Sequence, residues 1–168
     1  KFYLLNLKQN YIGIIMTSVD CYLMVNIIKT KTIILEGFFN VYSEDENISS
    51  ICKHIPFDSL HDDNYFYSYS VLKAIKYIRS KIDDDINLYI YTDMKLKLNQ
   101  IITSGDKYAK ILKKILDRDN TINIIFTSLK KDSDKEIIEE LNKIFMRKTK
   151  DYTSRYNNKT NIKKKRSN

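Results

Sequence analysis

The chain has no tryptophan, one proline and only three glycines in its 168 residues. So few glycines leave no Gly-rich loop of the kind that brings bare backbone against a phosphate. Its apolar runs are short and broken by polar residues, well below the roughly 20 residues of a membrane-spanning helix, so no membrane partner is expected. Two cysteines, Cys21 and Cys52, are too few for a disulfide framework or a four-ligand zinc site. His54 and His61 do not change this, and Cys52-Lys53-His54 reads as a surface loop. Two histidines in a polar segment also give no case for a Ser/His/Asp or Cys/His nucleophile. The first eight residues, Lys1 to Lys8, lack the apolar run and small-residue cleavage site of a secretory signal, so an intracellular site, cytoplasmic or nuclear, is expected.

What is abundant is charge and tyrosine. The formal net charge is +8, but it is not spread evenly. Arg147 to Asn168 carries nine Lys or Arg and one acid, so residues 1–146 balance 20 basic against 20 acidic side chains. The excess lies in a tail, residues 148–168, whose Asn/Lys-rich sequence holds too little apolar surface to fold alone and is expected to be disordered. Such tails bind phosphate or act as targeting signals; Lys163, Lys164, Lys165 and Arg166 are its densest cluster. Thirteen tyrosines are present. Tyr65, Tyr67 and Tyr69 alternate before an apolar stripe, where burial in a seam is the commoner fate and base stacking the functional one.

Residues 1–10 read as an N-terminal extension and 11–147 as one domain. Tyr11 to Thr17, Tyr22 to Ile28 and Thr32 to Phe39 read as three hairpin-linked strands, with Ser18-Val19-Asp20 as a tight turn. Asn40 to Asp63 is polar and aperiodic. Val71, Leu72, Ile75 and Ile78 form a helical stripe. Strand Leu88–Tyr91 leads into helices broken at Gly105, then strand Thr121–Phe126. A last helix starts near Asp134, capped by Asp132 or Ser133, with Glu136 completing a capping box. The order β-β-β-α-β-α-β-α requires a mixed five-stranded α/β sheet, three antiparallel strands and then βαβ units, with helices on its faces.

The most informative point is Asp93, which closes the apolar strand Leu88–Tyr91. Open α/β sheets place ligands at the carboxyl ends of their strands, although an Asp there also serves as an N-cap. Lys95 and Lys97 beside it, and Lys107, Lys110, Lys113 and Lys114 beyond, could follow a phosphate backbone or form a solvated face. Asp83-Asp84-Asp85 sits between helix and strand and reads as an acidic loop.

Leu88-Tyr-Ile-Tyr-Thr-Asp93 resembles the fourth strand of the ribonuclease H family, which ends in a metal-binding Asp. Lys29 to Phe38 resembles its third strand, and Ile124 to Ser128 with Glu139 to Ile144 its fifth strand and last helix. The resemblance spans roughly residues 11–147 and implies a two-metal hydrolysis, with clustered carboxylates holding two Mg²⁺. Asp93 and Glu139 match carboxylate positions of that site, and Asp20 stands near the one in the first strand. The departures are as clear. Ser18 falls where the first-strand Asp is expected, Tyr67 or Ser68 where the first helix carries Glu, and no His follows Ser128.

The resemblance therefore implies a non-catalytic ribonuclease H-like domain, acting as a nucleic-acid-binding or assembly module and needing no cofactor. Two alternatives stand beside it. One is a Mg²⁺- or Mn²⁺-dependent nuclease, cutting the RNA strand of a hybrid with a rearranged site of Asp20, Asp93 and Glu139, joined by Asp62 or Asp63 from the loop before the first helix. The other is an unrelated α/β protein-interaction domain. RNA, DNA, a hybrid or a protein are the partners to expect, with Lys95, Lys97 and Lys163 to Arg166 as nucleic-acid contacts.

Overall fold

A computed structural model describes residues 16–165 other than Thr32 and Ser59, with side chains as far as Lys150. Its strands are β1 (Thr17–Lys29), β2 (Ile34–Tyr42), β3 (Ile51–His54), β4 (Ile86–Thr92) and β5 (Ile122–Ser128). The helices are α1 (Asp63–Arg79), α2 (Leu98–Ile102), α3 (Lys107–Arg118) and α4 (Lys135–Lys165). The sheet runs β3-β2-β1-β4-β5, with β1, β2 and β3 antiparallel and β4 and β5 parallel to β1.

The mixed sheet matches the expectation, but its first three strands sit elsewhere. Ser18-Val19-Asp20 is not a turn. It is the start of a 13-residue strand, in which polar Ser18 and Asp20 alternate with buried Val19 and Cys21 as the two-residue period of a strand demands. The Tyr11 to Thr17 strand lies almost wholly outside the described residues. The third antiparallel strand comes from the segment read as loop: Ile51 to His54 pairs with Phe38 to Val41. With four residues, an exposed Lys53 and no alternation of its own, β3 has the short charged form of a protected sheet edge, which hides it from a periodicity search.

Alternation divides the sheet into two faces. Val19, Cys21, Leu23, Phe39, Val41, Leu88 and Ile90 face α1 and α3 and are all at most 2% exposed. Tyr22, Met24, Tyr42 and Tyr91 face the other way, against Leu141 and Ile137 of α4. Helix α1 is buried on two sides, by the sheet and by α3, so Tyr65 and Tyr69 are in the core, as the commoner reading of the tyrosine run expects. Its N-cap is Asp62, which accepts from the Tyr65 N–H at 3.2 Å. Gly37 on β2 has no side chain because a Cβ there would strike the buried Phe66 ring.

Gly105, at φ 83°, separates α2 from α3 as its sequence position suggested. Asp106 then caps α3, accepting from the N–H groups of Tyr108 and Ala109, and takes the Ser68 hydroxyl at 2.7 Å, which ties α3 to α1. Asp134 rather than Asp132 or Ser133 precedes α4. Its carbonyl accepts from Ile138 N–H, and its carboxylate takes the Lys130 N–H at 2.7 Å. Helix α4 runs on to Lys165, through the segment expected to be a disordered tail. Lys and Arg are good helix formers, so a helix already packed at Leu141 can propagate through them at little cost per residue.

Candidate functional site at the carboxyl end of strand four

Parallel pairing fixes what surrounds Asp93. Leu23 of β1 lies beside Thr92 of β4, so Met24 is the β1 residue level with Asp93. Ser18 pairs with Asn87 at the far end, so the first-strand position that matters is Met24, six residues beyond the one inferred from sequence. Met94, 6% exposed, follows Asp93 into the core on the α1 side, and Met24, also 6% exposed, packs on the α4 side. The buried Thr92 holds this strand end: its Oγ1 accepts from Met94 N–H at 3.2 Å and its carbonyl from Leu129 N–H at 2.9 Å.

Asp93 is exposed as a residue, yet its carboxyl group is drawn against the protein. Partial burial pushes its pKa up, and hydrogen bonds from the backbone N–H groups of Val25 and of Asp93 itself oppose that rise only in part. Tyr67 of α1 stands close by, its phenol raised by burial and then by the charges of Asp63 and Asp93. Asp63 in turn holds Lys29 Nζ at 3.0 Å, joining the end of β1 to the start of α1. On the other side a groove of about 450 Å³ opens, lined by Met24, Asp93, Lys95, Lys131 and Ile138 among others.

The sequence-derived carboxylates are not brought together. Asp20 is level with Tyr89, four residues back along the strand from Met24, or about 13 Å. It faces Tyr91, whose phenol is raised by burial and then by the Asp20 charge and hydrogen bond. Glu139 is exposed on α4, about 100° round the helix from Ile138, and its partner is Lys135 at 3.9 Å. Lys95 borders the groove. Lys97 opens α2, where its backbone N–H donates to Gln100 Oε1 at 2.9 Å. Lys163, Lys164 and Lys165 lie in the last turns of α4, and Arg166 lies outside the described residues.

This donor set does not fit the metal pair that the fold implies. Mg²⁺ takes hard oxygen ligands in near-octahedral array. Here the groove around the single carboxylate is lined by two thioethers, two hydroxyls and two ammonium groups, with the Tyr67 phenol close by, and among the described residues no three His, Cys, Asp or Glu side chains are grouped to hold an ion. The thiols offer nothing in exchange, since burial pushes Cys21 up to about 12 and raises Cys52 as well. Met24 and Lys131 escaped sequence reasoning because only the register of β1 and β5 against β4 shows which residues meet at Asp93.

No protein-family model matches the sequence, and no curated protein does. Solved structures do. The chain is similar to LC11 ribonuclease H1, isolated from compost by a metagenomic approach, with 14% identity, 77% of this chain and 99% of that one covered, and a TM-score of 0.50. Ribonuclease H1 of the halophilic archaeon Halobacterium salinarum NRC-1 matches at 9% identity over 66% of this chain and 86% of that one, TM-score 0.44. LC11 ribonuclease H1 in complex with an RNA/DNA hybrid matches at 13% identity over 67% and 88%, TM-score 0.46. The fold is ribonuclease H-like, as the strand order and the full coverage of the compost enzyme require. Among the described residues no helix is long and apolar enough to cross a membrane.

Proposed function

We propose that this is a non-cleaving ribonuclease H-like domain that binds nucleic acid. One observation carries the reading: Met24 occupies the β1 position level with Asp93, so the strand pair that would hold metal between two acids presents one acid and one thioether. Burial accounts for the survival of the sheet without the chemistry, because only Met94 of the residues that close the α1-side core also lines the groove. Lys95 and Lys131 give the groove a positive rim suited to phosphate. The nucleic-acid complex formed by the compost ribonuclease H1 agrees with this assignment of partner.

The test is cleavage of a labelled RNA–DNA hybrid in Mg²⁺ and in Mn²⁺, with Asp93→Asn beside the wild type and hybrid binding measured in parallel. The expected result is binding without cleavage, indifferent to either metal and to the substitution. Metal-dependent cleavage abolished in Asp93→Asn would overturn the reading and establish a working site of rearranged carboxylates. A folded protein that neither cleaves nor binds would point instead to a domain for protein contacts.

A further inference from the structure

Helix α3 carries an uneven charge. Of its twelve residues five are Lys or Arg and one is acidic. At 100° per residue, Lys107, Lys110, Lys114 and Arg118 fall within one strip about 80° wide, while Ala109 and Leu112 on the opposite side are buried. The strip rises about 16 Å from first to last at 1.5 Å per residue. All four side chains are exposed, and among the described residues none lies within 4 Å of a carboxylate, whereas the α4 lysines Lys135 and Lys143 are each paired with a neighbouring glutamate. Asp117, the acid of this helix, sits beside the strip without neutralising it.

The neighbouring helix extends the same surface. Tyr69 of α1 and Tyr108 of α3 meet edge to face at 4.9 Å. Lys73 Nζ stands 5.4 Å over the first ring and Lys107 Nζ 5.5 Å over the second. Two cations are thus held over the helix junction by rings that are themselves fixed, which lowers the entropy lost when they meet an anion. Beside the strip, Ile111 and Ile115 floor a shallow groove closed by Lys114 and Arg118, with Asp119 at its end.

We propose that this α1/α3 face, and not the Asp93 groove or the end of α4, is the main binding surface for a nucleic-acid backbone. The proposal rests on the nucleic-acid reading above and says where that partner sits. One strand of a duplex presents a phosphate about every 3.4 Å of axis, so a strip of about 16 Å spans four or five phosphates, close to the number of cations offered. The cations form a straight row with the partner charge missing, a pattern that fits a regular polyanion better than the mixed charges of a protein surface.

Binding of a fluorescein-labelled RNA–DNA hybrid to the whole chain, measured by anisotropy across a salt series, tests it. Lys107, Lys110, Lys114 and Arg118 are changed together to Gln. A second variant loses the same four charges elsewhere, at Lys53, Lys135, Lys143 and Lys150. The first is expected to weaken binding at low salt at least tenfold and to flatten the slope of log affinity against log salt by about 3.6 units, near 0.9 for each of the four phosphates no longer neutralised. The second should stay close to wild type. Equal weakening in both variants, or none in the first, overturns the assignment of this face while leaving the nucleic-acid reading intact. No binding by the wild type overturns both. Capture by phosphatidylserine vesicles with no affinity for the hybrid also overturns it, assigning the strip to a lipid surface. Circular dichroism of each variant, with the pair Lys107→Gln and Lys110→Gln as a milder form, separates weakened binding from impaired folding.

Discussion

The two faces of the sheet obey different rules. On the α1 side the central positions are apolar and closed, Leu23, Leu88 and Ile90 being 0% exposed, with Thr92 the polar residue at the strand end. On the α4 side the same strands present Asp20, Tyr22, Met24 and Asn26. There Asn40 reaches the Leu141 carbonyl at 3.3 Å, and Glu36, 4% exposed, meets His54. The Asn26 amide nitrogen and the Asn40 amide oxygen find no hydrogen-bond partner among the described residues. One face stabilises by area and packing, with little dependence on which apolar residue is used. The other carries polar groups whose partners must be met one by one. A nuclease fold can therefore lose its carboxylates from the second face and keep its architecture through the first.

Truncation at the first face is the harshest way to break this comparison. Leu88→Ala should cost about 2–5 kcal/mol, the range for deleting a large buried side chain. Tyr91→Phe, on the same strand but facing the other way, removes only a hydroxyl directed at Asp20 and should cost about 1 kcal/mol. Urea unfolding of both variants measures the contrast, and equal costs would dissolve it. Gly37→Ala comes next. The added methyl meets the 0%-exposed Phe66 ring, which has no room to withdraw, so about 1–3 kcal/mol of overpacking is expected from a substitution that usually stabilises a strand.

The same contrast explains what could be seen in the sequence. Helix α1, strands β4 and β5 and the break at Gly105 were legible because their apolar periods are long or their turn residue is specific. The start of β1 was not. Ser18 and Asp20 look like turn residues, and only pairing with Asn87 and Tyr89 makes them strand. Edge strand β3 escaped for want of length. At the site, Asp93 was legible as a carboxylate on a strand end, and Tyr67 as a position without an acid. Met24 was not, since its place beside Asp93 depends on pairing between strands far apart in the chain. Local patterns carry elements, and register carries sites.

Alkaline titration reads the second face with less disturbance. Burial, then the charges of Glu44, Asp134 and Asp20, hold the Tyr22 phenol up at about 12 against an ordinary 10.0. A proton bound more tightly in the folded state gives stability that is complete below about pH 10 and is lost as pH rises towards 12. Tyr22→Phe should therefore flatten the fall in melting temperature over that window, and leave the neutral-pH value within about 1 kcal/mol of wild type. Leu88→Ala should shift the whole curve without changing its shape. A Tyr22→Phe curve parallel to wild type would show that this phenol is not held as the packing implies.

Asp93 gives the smallest effect and the most direct view of the altered site. Its carboxyl lies above the ordinary value because burial outweighs the two backbone hydrogen bonds, and the Lys95 and Lys131 ammonium groups at the groove rim do not reverse the balance. A folded-state pKa above the unfolded one means that the charged form weighs against folding at neutral pH, and that the burden lifts as pH falls through the raised value. Asp93→Asn should then equal or slightly exceed wild type in stability at pH 7, within about 0.5 kcal/mol, and the difference should vanish below about pH 4. A site built to hold metal would behave differently: added Mg²⁺ would raise the melting temperature of wild type and not of Asp93→Asn, because binding to the native state alone stabilises it. The thioethers beside Asp93 predict equal melting temperatures with and without Mg²⁺ in both proteins, and a metal-dependent rise confined to wild type would restore the carboxylate site that Met24 argues against.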